Sequence, residues 1–126
     1  MNSFVSRLLA AVSVASLTWA APALAGGHAQ EIAQGKQLYM QDCASCHRAS
    51  GAGGVHFGHA VSADLQAPGL EKTYHHNDKL IRRAILQAKD QNGERLDQPM
   101  PAWHGRLSTA QAKSIVAYLH TLHAGG

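Results

Sequence analysis

The sequence predicts an all-α fold in which a few helices and long loops close over an apolar group that is not polypeptide. Three observations carry this reading. Stretches at about 29–42, 78–89 and 108–123 repeat apolar residues at helical spacing. The connections between them are rich in glycine and proline, which discourages long regular structure. Large apolar side chains are sparse beyond the first 25 residues, so a domain of this length is short of material for its own core.

The first 25 residues read as a leader. Arg7 is the one charge ahead of the apolar run Leu8 to Ala21. Ala21-Pro22-Ala23-Leu24-Ala25 follows, with small residues at Ala23 and Ala25. That order is a cleavable signal peptide with an A-x-A site. The run is shorter than the ~20 residues of a membrane span, so no stable span is expected after cleavage. Cleavage after Ala25 leaves 126 − 25 = 101 residues, a single domain over 26–126. Export places it in an oxidising compartment, and the periplasm is the expected location. Charge adds little. The chain is +3, with 11 Lys+Arg and 8 Asp+Glu, and removing Arg7 leaves 10 − 8 = +2. The longest basic run is Arg82-Arg83, so nothing points to nucleic acid.

Ala29 to Asp42 is the first expected helix, with Ile32, Gly35, Leu38 and Tyr39 at roughly helical spacing. Gly35 in its interior is unfavourable by about 1 kcal/mol against alanine. A close crossing by another helix explains it, with Tyr39 packed at the same place. The helix runs into Cys43-Ala44-Ser45-Cys46-His47. A C-x-x-C-H run is the attachment signature of c-type haem. Each thiol can add to one vinyl group of a single porphyrin, and His47 is then held under the ring as the axial iron ligand. A thioredoxin-type pair needs a βαβ pattern nearby, and none is visible. A Cys₄ or Cys₃His zinc site needs cysteines the chain does not have. A small structural disulfide is the remaining alternative.

Arg48 to Gly69 is expected to be loop, because Gly51, Gly53, Gly54 and Gly58 interrupt it. A connection of roughly 20 residues is usually functional or packed on something, here one haem edge. It ends at Ala67-Pro68-Gly69-Leu70. The Pro68 carbonyl can accept the Nδ1–H of His47 and fix the ring, and Leu70 can cover a porphyrin face. Asn77 or Asp78 can cap the second helix, whose apolar stripe is Leu80, Ile81, Ala84, Ile85 and Ala88. Asn92-Gly93 is the turn that ends it.

Glu94 to Leu107 is loop again and contains Gln98-Pro99-Met100-Pro101-Ala102-Trp103. Prolines on both sides of Met100 exclude helix and stiffen the backbone. Such a segment aims one side chain, which makes Met100 the candidate sixth ligand of the iron. Loop packing is the bland alternative for a lone methionine. Trp103 can shield the haem edge or reach a propionate with its indole N–H, and plain packing is as reasonable. Ser108-x-x-Gln111 is a capping box that opens the last helix. That helix should cross the first, with Tyr118 or Leu119 against Gly35 and Tyr39.

Nine histidines are many for this length. His56, His59, His75, His76 and His104 are loop residues that could compete for the sixth position, although solvated imidazoles are the ordinary outcome. His120 and His123, in the last turns of the closing helix, suit its dipole and need no metal.

Taken together, these pieces resemble a class I c-type cytochrome over essentially the whole mature chain. The resemblance rests on Gly35 and Tyr39, the Cys43-x-x-Cys46-His47 site, Ala67-Pro68-Gly69-Leu70, Met100-Pro101 and Ala117-Tyr118-Leu119. It implies three main helices around one covalent haem c: Cys43 and Cys46 on the porphyrin, His47 and Met100 on the iron, Pro68 orienting His47. Many members have a glycine soon after the Pro-x-Leu piece, where this chain has Glu71 and Lys72. The resemblance implies electron transfer between redox protein partners at an exposed haem edge, with no catalytic residue. The alternatives are a cytochrome subunit of a periplasmic dehydrogenase or oxidase, and a haem sensor with a labile sixth ligand.

Overall fold

The computed structural model describes residues 25–125, so the expected leader lies outside the described residues except for Ala25. Seven elements follow one another: α1 (Ala25–Asp42), α2 (Ala44–His47), β1 (His56–Phe57), β2 (Ala60–Val61), α3 (Gly69–Thr73), α4 (Asp78–Gln87) and α5 (Thr109–Leu119). The three long helices are those the periodicity predicts. α1 starts earlier than Ala29, and α4 and α5 stop short of Lys89 and His123. The segment expected to be loop contains a small antiparallel hairpin, with His56 opposite Val61 and Phe57 opposite Ala60. The one-turn helix α3 was also not foreseen.

The fold turns on the contact of α1 with α5. A Cβ placed on Gly35 would lie 1.8 Å from the Ser114 carbonyl oxygen and 3.0 Å from the Tyr118 Cβ. Only a residue without a side chain lets the two backbones come this close. One turn along, Tyr39 and Tyr118 meet with ring centroids 5.4 Å apart and planes tilted by 56°, a favoured geometry for aromatic pairs. Tyr118 fills the role expected of it, while Leu119 turns to the cluster beneath. Tyr39, Ile115 and Val116 are the largest fully buried side chains. Buried Ser114 is satisfied by Gln34 Oε1 and the Ala110 carbonyl, both at 3.2 Å.

α4 lies against α5 through Ile81, Ala84 and Ile85. Asn77 caps it, accepting the Lys79 N–H, and Ala88 ends it in the left-handed region at φ 52 and ψ 47. The capping box at Ser108 and Gln111 is present in both directions. His120 is the C-cap of α5, not part of its last turn, and His123 lies beyond it. His120 answers to carboxylates more than to the helix dipole. Its Nδ1 is 2.6 Å from Glu71 Oε1 and its Nε2 is 3.0 Å from Asp78 Oδ1. This ties the end of α5 to α3 and to the start of α4.

Two predictions follow from this frame. Gly35→Ala forces the backbones apart at Ser114, an overpacking worth about 1–3 kcal/mol. Thermal unfolding should then shift down by about 4 °C or more, and an unchanged Tm would contradict the close crossing. His120 is partly buried, which lowers its pKa, but its bonds to Glu71 and Asp78 outweigh that and raise it above the ordinary histidine value. The contribution is full below the unfolded pKa of about 6.5 and is lost as pH rises through the folded pKa. The Tm advantage of the wild type over His120→Gln should therefore be largest near about pH 6 and shrink toward about pH 9. An advantage equal at both ends would refute the pairing.

Candidate functional site

α1 passes into α2 with one break. Cys43 is the N-cap of α2, and its N–H still donates to the Tyr39 carbonyl at 2.9 Å. Its own carbonyl accepts from Cys46 N–H at 3.1 Å and from His47 N–H at 2.9 Å. Residues three and four apart share a face of a helical turn, so both thiols and the imidazole point to the same side. Both cysteines are free and partly buried. Burial, then Asp42 and Cys46, pushes the Cys43 thiol up to about 12. A thiol held protonated is a poor nucleophile for disulfide exchange, and the fold around it has no βαβ unit among the described residues.

The chain then turns sharply. Arg48 adopts φ 66 and ψ 157, a region used almost only by glycine and found where surrounding structure imposes it. The Arg48 carbonyl accepts from the Tyr39 hydroxyl at 2.7 Å and from Gly51 N–H at 3.1 Å. Burial, then Cys43, raises the Tyr39 pKa, which keeps the phenol a donor. Gly53 N–H returns to the His47 carbonyl at 3.0 Å. A Cβ on Gly53 would lie 2.2 Å from the Ala63 carbonyl oxygen. Bare backbone at Gly53 thus lets the Ala63 carbonyl approach, and His47 Nδ1 lies 2.9 Å from it.

This corrects the expectation for Pro68. Pro68 is exposed, and its carbonyl accepts from Lys72 N–H at 3.0 Å in the first turn of α3. Ala63 fixes the His47 ring instead. A small-x-Leu pattern occurs twice in this stretch, at Ala63-Asp64-Leu65 and at Pro68-Gly69-Leu70. The first copy supplies the carbonyl, and the proline of the second opens α3. Leu70 is buried at 6% exposure.

Cys43, Cys46 and His47 open onto a cavity of about 480 Å³ that Met100, Trp103, Leu65 and Leu70 also line. Cofactor sites commonly measure roughly 300–1,000 Å³. α1 contributes Tyr39, α4 contributes Ile81, Ala84 and Ile85, and α5 contributes Ile115 and Leu119. The hairpin closes another part of the wall with Phe57, Ala60 and Val61. The segment before Met100 adds Leu96, Asp97 and Pro99. Leu65, Phe57 and Val61 are among the wall residues with no local sequence signal, because the Gly51–Gly58 stretch hides the regular structure beside it. Trp103 has the Arg106 guanidinium 4.4 Å from its ring centroid, a cation–π contact on the side chain that borders the cavity.

His47 is the one histidine among the described residues that lines this cavity. His56, His59, His75, His76 and His104 are exposed. His75 and His76 sit in left-handed backbone at the end of α3. His59 borders a smaller recess with Phe57, Ala60, Asp97 and Gln98. None of the five lines the cavity that Met100 borders. The donor set therefore fits a haem: two thiols on one face for a covalent link, an imidazole whose Nδ1 is already engaged, a thioether in the same chamber, and apolar walls between them. Imidazole and thioether are a known axial pair for haem iron.

A protein-family model described as cytochrome c matches residues 32–123. The chain is 34% identical to the cbb3-type cytochrome c oxidase subunit CcoP of Azospirillum sp. (strain B510) over 77% of its length, which is 30% of that subunit. It is 27% identical to cytochrome c6 of Nostoc sp. (strain PCC 7120), covering 94% of this chain and 92% of that protein. It is 33% identical to the cytochrome c subunit of a bc1 complex from Corynebacterium diphtheriae, over 71% of this chain and 26% of the relative. The chain thus spans less than a third of the oxidase and bc1 subunits that it matches. With the C-x-x-C-H turn, the cavity and the match over nearly all of the described fold in agreement, the chain belongs to the cytochrome c family.

Proposed function

We propose that the protein is a monohaem electron carrier exported to the periplasm, with Cys43 and Cys46 binding haem c and His47 and Met100 binding its iron. The observation that carries this is one apolar cavity collecting Cys43, Cys46, His47 and Met100 from distant parts of the sequence. The group supplies single-electron chemistry when bound, passing between ferric and ferrous iron. The residues of the chain do the rest. Cys43 and Cys46 fix the position of the ring, and the Ala63 carbonyl holds the His47 imidazole in one orientation. With the group bound, Met100 would hold its iron together with His47, and no site would be left open for a substrate. Ile81, Ile85, Ile115 and Leu119 keep water from the chamber, which favours a high potential. No side chain acts as acid, base or nucleophile, so transfer is outer-sphere to redox protein partners.

Export rests on the signal-like residues 1–25. No helix among the described residues is long and apolar enough to cross a membrane. A second reading, a cytochrome subunit of an oxidase or dehydrogenase, is favoured by the match to CcoP and to the related FixP subunit of Bradyrhizobium diazoefficiens. Gel filtration of native extract separates the two, since a bound subunit elutes with a large partner and a free carrier does not. The haem-sensor reading requires a vacant or labile sixth position, and Met100 in the cavity wall argues against it.

The ferric protein should be low-spin and show the weak near-infrared sulfur-to-iron band. Met100→Ala should abolish the band and lower the potential, while covalent haem stays in place. A high-spin wild type that binds CO at neutral pH would overturn Met100 ligation and restore the sensor reading.

A further inference from the structure

Met100 lies in an arc of chain whose two ends are tied to the same place. On one side Leu96 N–H donates to the Ala88 carbonyl at 2.8 Å. On the other, Trp103 N–H donates to the Ile85 carbonyl at 3.1 Å and His104 N–H to the Leu86 carbonyl at 3.0 Å. All three acceptors belong to the last turn and cap of α4. The last carbonyls of a helix have no partner within it, and here the two ends of the arc supply the missing donors. Residues 97–102 therefore span between two fixed feet, with the Met100 N–H bonded to the Asp97 carbonyl at 3.1 Å inside the span.

The Trp103 foot has two backbone bonds to α4 and a partly buried indole. The Leu96 foot has one, it follows the Asp90–Gly93 turn, and beside it Asp90 N–H donates to the Glu94 carbonyl at 2.8 Å. That turn is held from inside by Asp90, whose carboxylate accepts from Asn92 N–H at 2.9 Å and Glu94 N–H at 2.8 Å. It is held from outside by Arg83 on α4. One guanidinium nitrogen of Arg83 donates to the Asp90 carbonyl at 2.6 Å and to the Gln91 carbonyl at 3.2 Å. Its Nε is buried without a hydrogen-bond partner among the described residues. A long cationic side chain placed this way ties the turn to α4 through two carbonyls at once.

We propose that Arg83 is a positioning residue for Met100: by pinning the Asp90–Gln91 carbonyls to α4 it fixes the Leu96 foot, and with it the place of the thioether. This rests on Met100 as iron ligand, the reading above. Without Arg83 the turn detaches, the Leu96–Ala88 bond opens more often, and the arc swings on the Trp103 foot alone. Met100 then leaves its position more often, and an outside ligand enters more easily.

The test uses holoprotein with Arg83→Leu and Arg83→Lys, the second keeping the charge but not the rigid fork. Three readouts are taken: the near-infrared band, the affinity of the ferric protein for added imidazole, and amide hydrogen exchange. Arg83→Leu should raise imidazole affinity by about tenfold or more, as expected for the loss of a charge-assisted hydrogen bond. Exchange should accelerate at Leu96 while Val116 in α5 is unchanged. Arg83→Lys should move both in the same direction by less, and it decides the matter if the leucine variant yields no holoprotein. A wild type without the band overturns Met100 ligation and the positioning role together. A wild-type band with unchanged imidazole affinity in both variants overturns the positioning role alone. So does faster exchange at Leu96 and Val116 alike, which is the mark of general destabilisation.

Discussion

Two thiols and an imidazole share one turn of backbone, and most of the remaining structure keeps that turn in place. The Cys43 carbonyl accepts from both Cys46 and His47, which closes the turn. Tyr39, buried in the α1–α5 crossing, reaches across to hold the strained Arg48 that follows it. The crossing in turn exists because Gly35 has no side chain to separate the helices. A tight packing requirement one turn back from the cavity wall is thus transmitted through one phenol to the residue next to His47.

The second support is a glycine of another kind. Gly53, at φ +60, lets the returning chain pass close enough for Ala63 to meet His47. Neither the carbonyl acceptor of this contact nor its neighbour is chemically distinctive. What matters is the path of the backbone, and the path is set by where side chains are missing. The walls follow the same economy. Each helix contributes a few aliphatic residues, the hairpin adds an aromatic and two small ones, and a flat apolar group completes what the side chains leave open.

The sequence made the helices readable because their apolar stripes and caps are local signals. Asn77, the Ser108–Gln111 box and the glycine of the crossing all perform as their positions imply. The Cys-x-x-Cys-His turn and the proline-framed Met100 stand out for the same reason, as fixed residue types at short spacing, and both border the one cavity. The orienting carbonyl does not stand out. Any residue has a carbonyl, so its identity depends on long-range backbone geometry, and a conspicuous proline at position 68 was a misleading cue. The hairpin at 56–61 was hidden by its glycines, and the two carboxylates of His120 lie 49 and 42 residues away in sequence. Long-range ion pairs of this kind leave no periodic trace.

Everything above depends on the thiols of Cys43 and Cys46 being joined to one porphyrin. The direct measurement is acid–acetone extraction of protein expressed in cells able to mature c-type haem, followed by a pyridine haemochrome spectrum of the precipitate. The account requires that the pigment stays with the polypeptide at one haem per chain, and that replacing both cysteines by alanine releases it into the solvent. Pigment that washes out of the wild-type protein, or never accumulates in it, would contradict the account at its root.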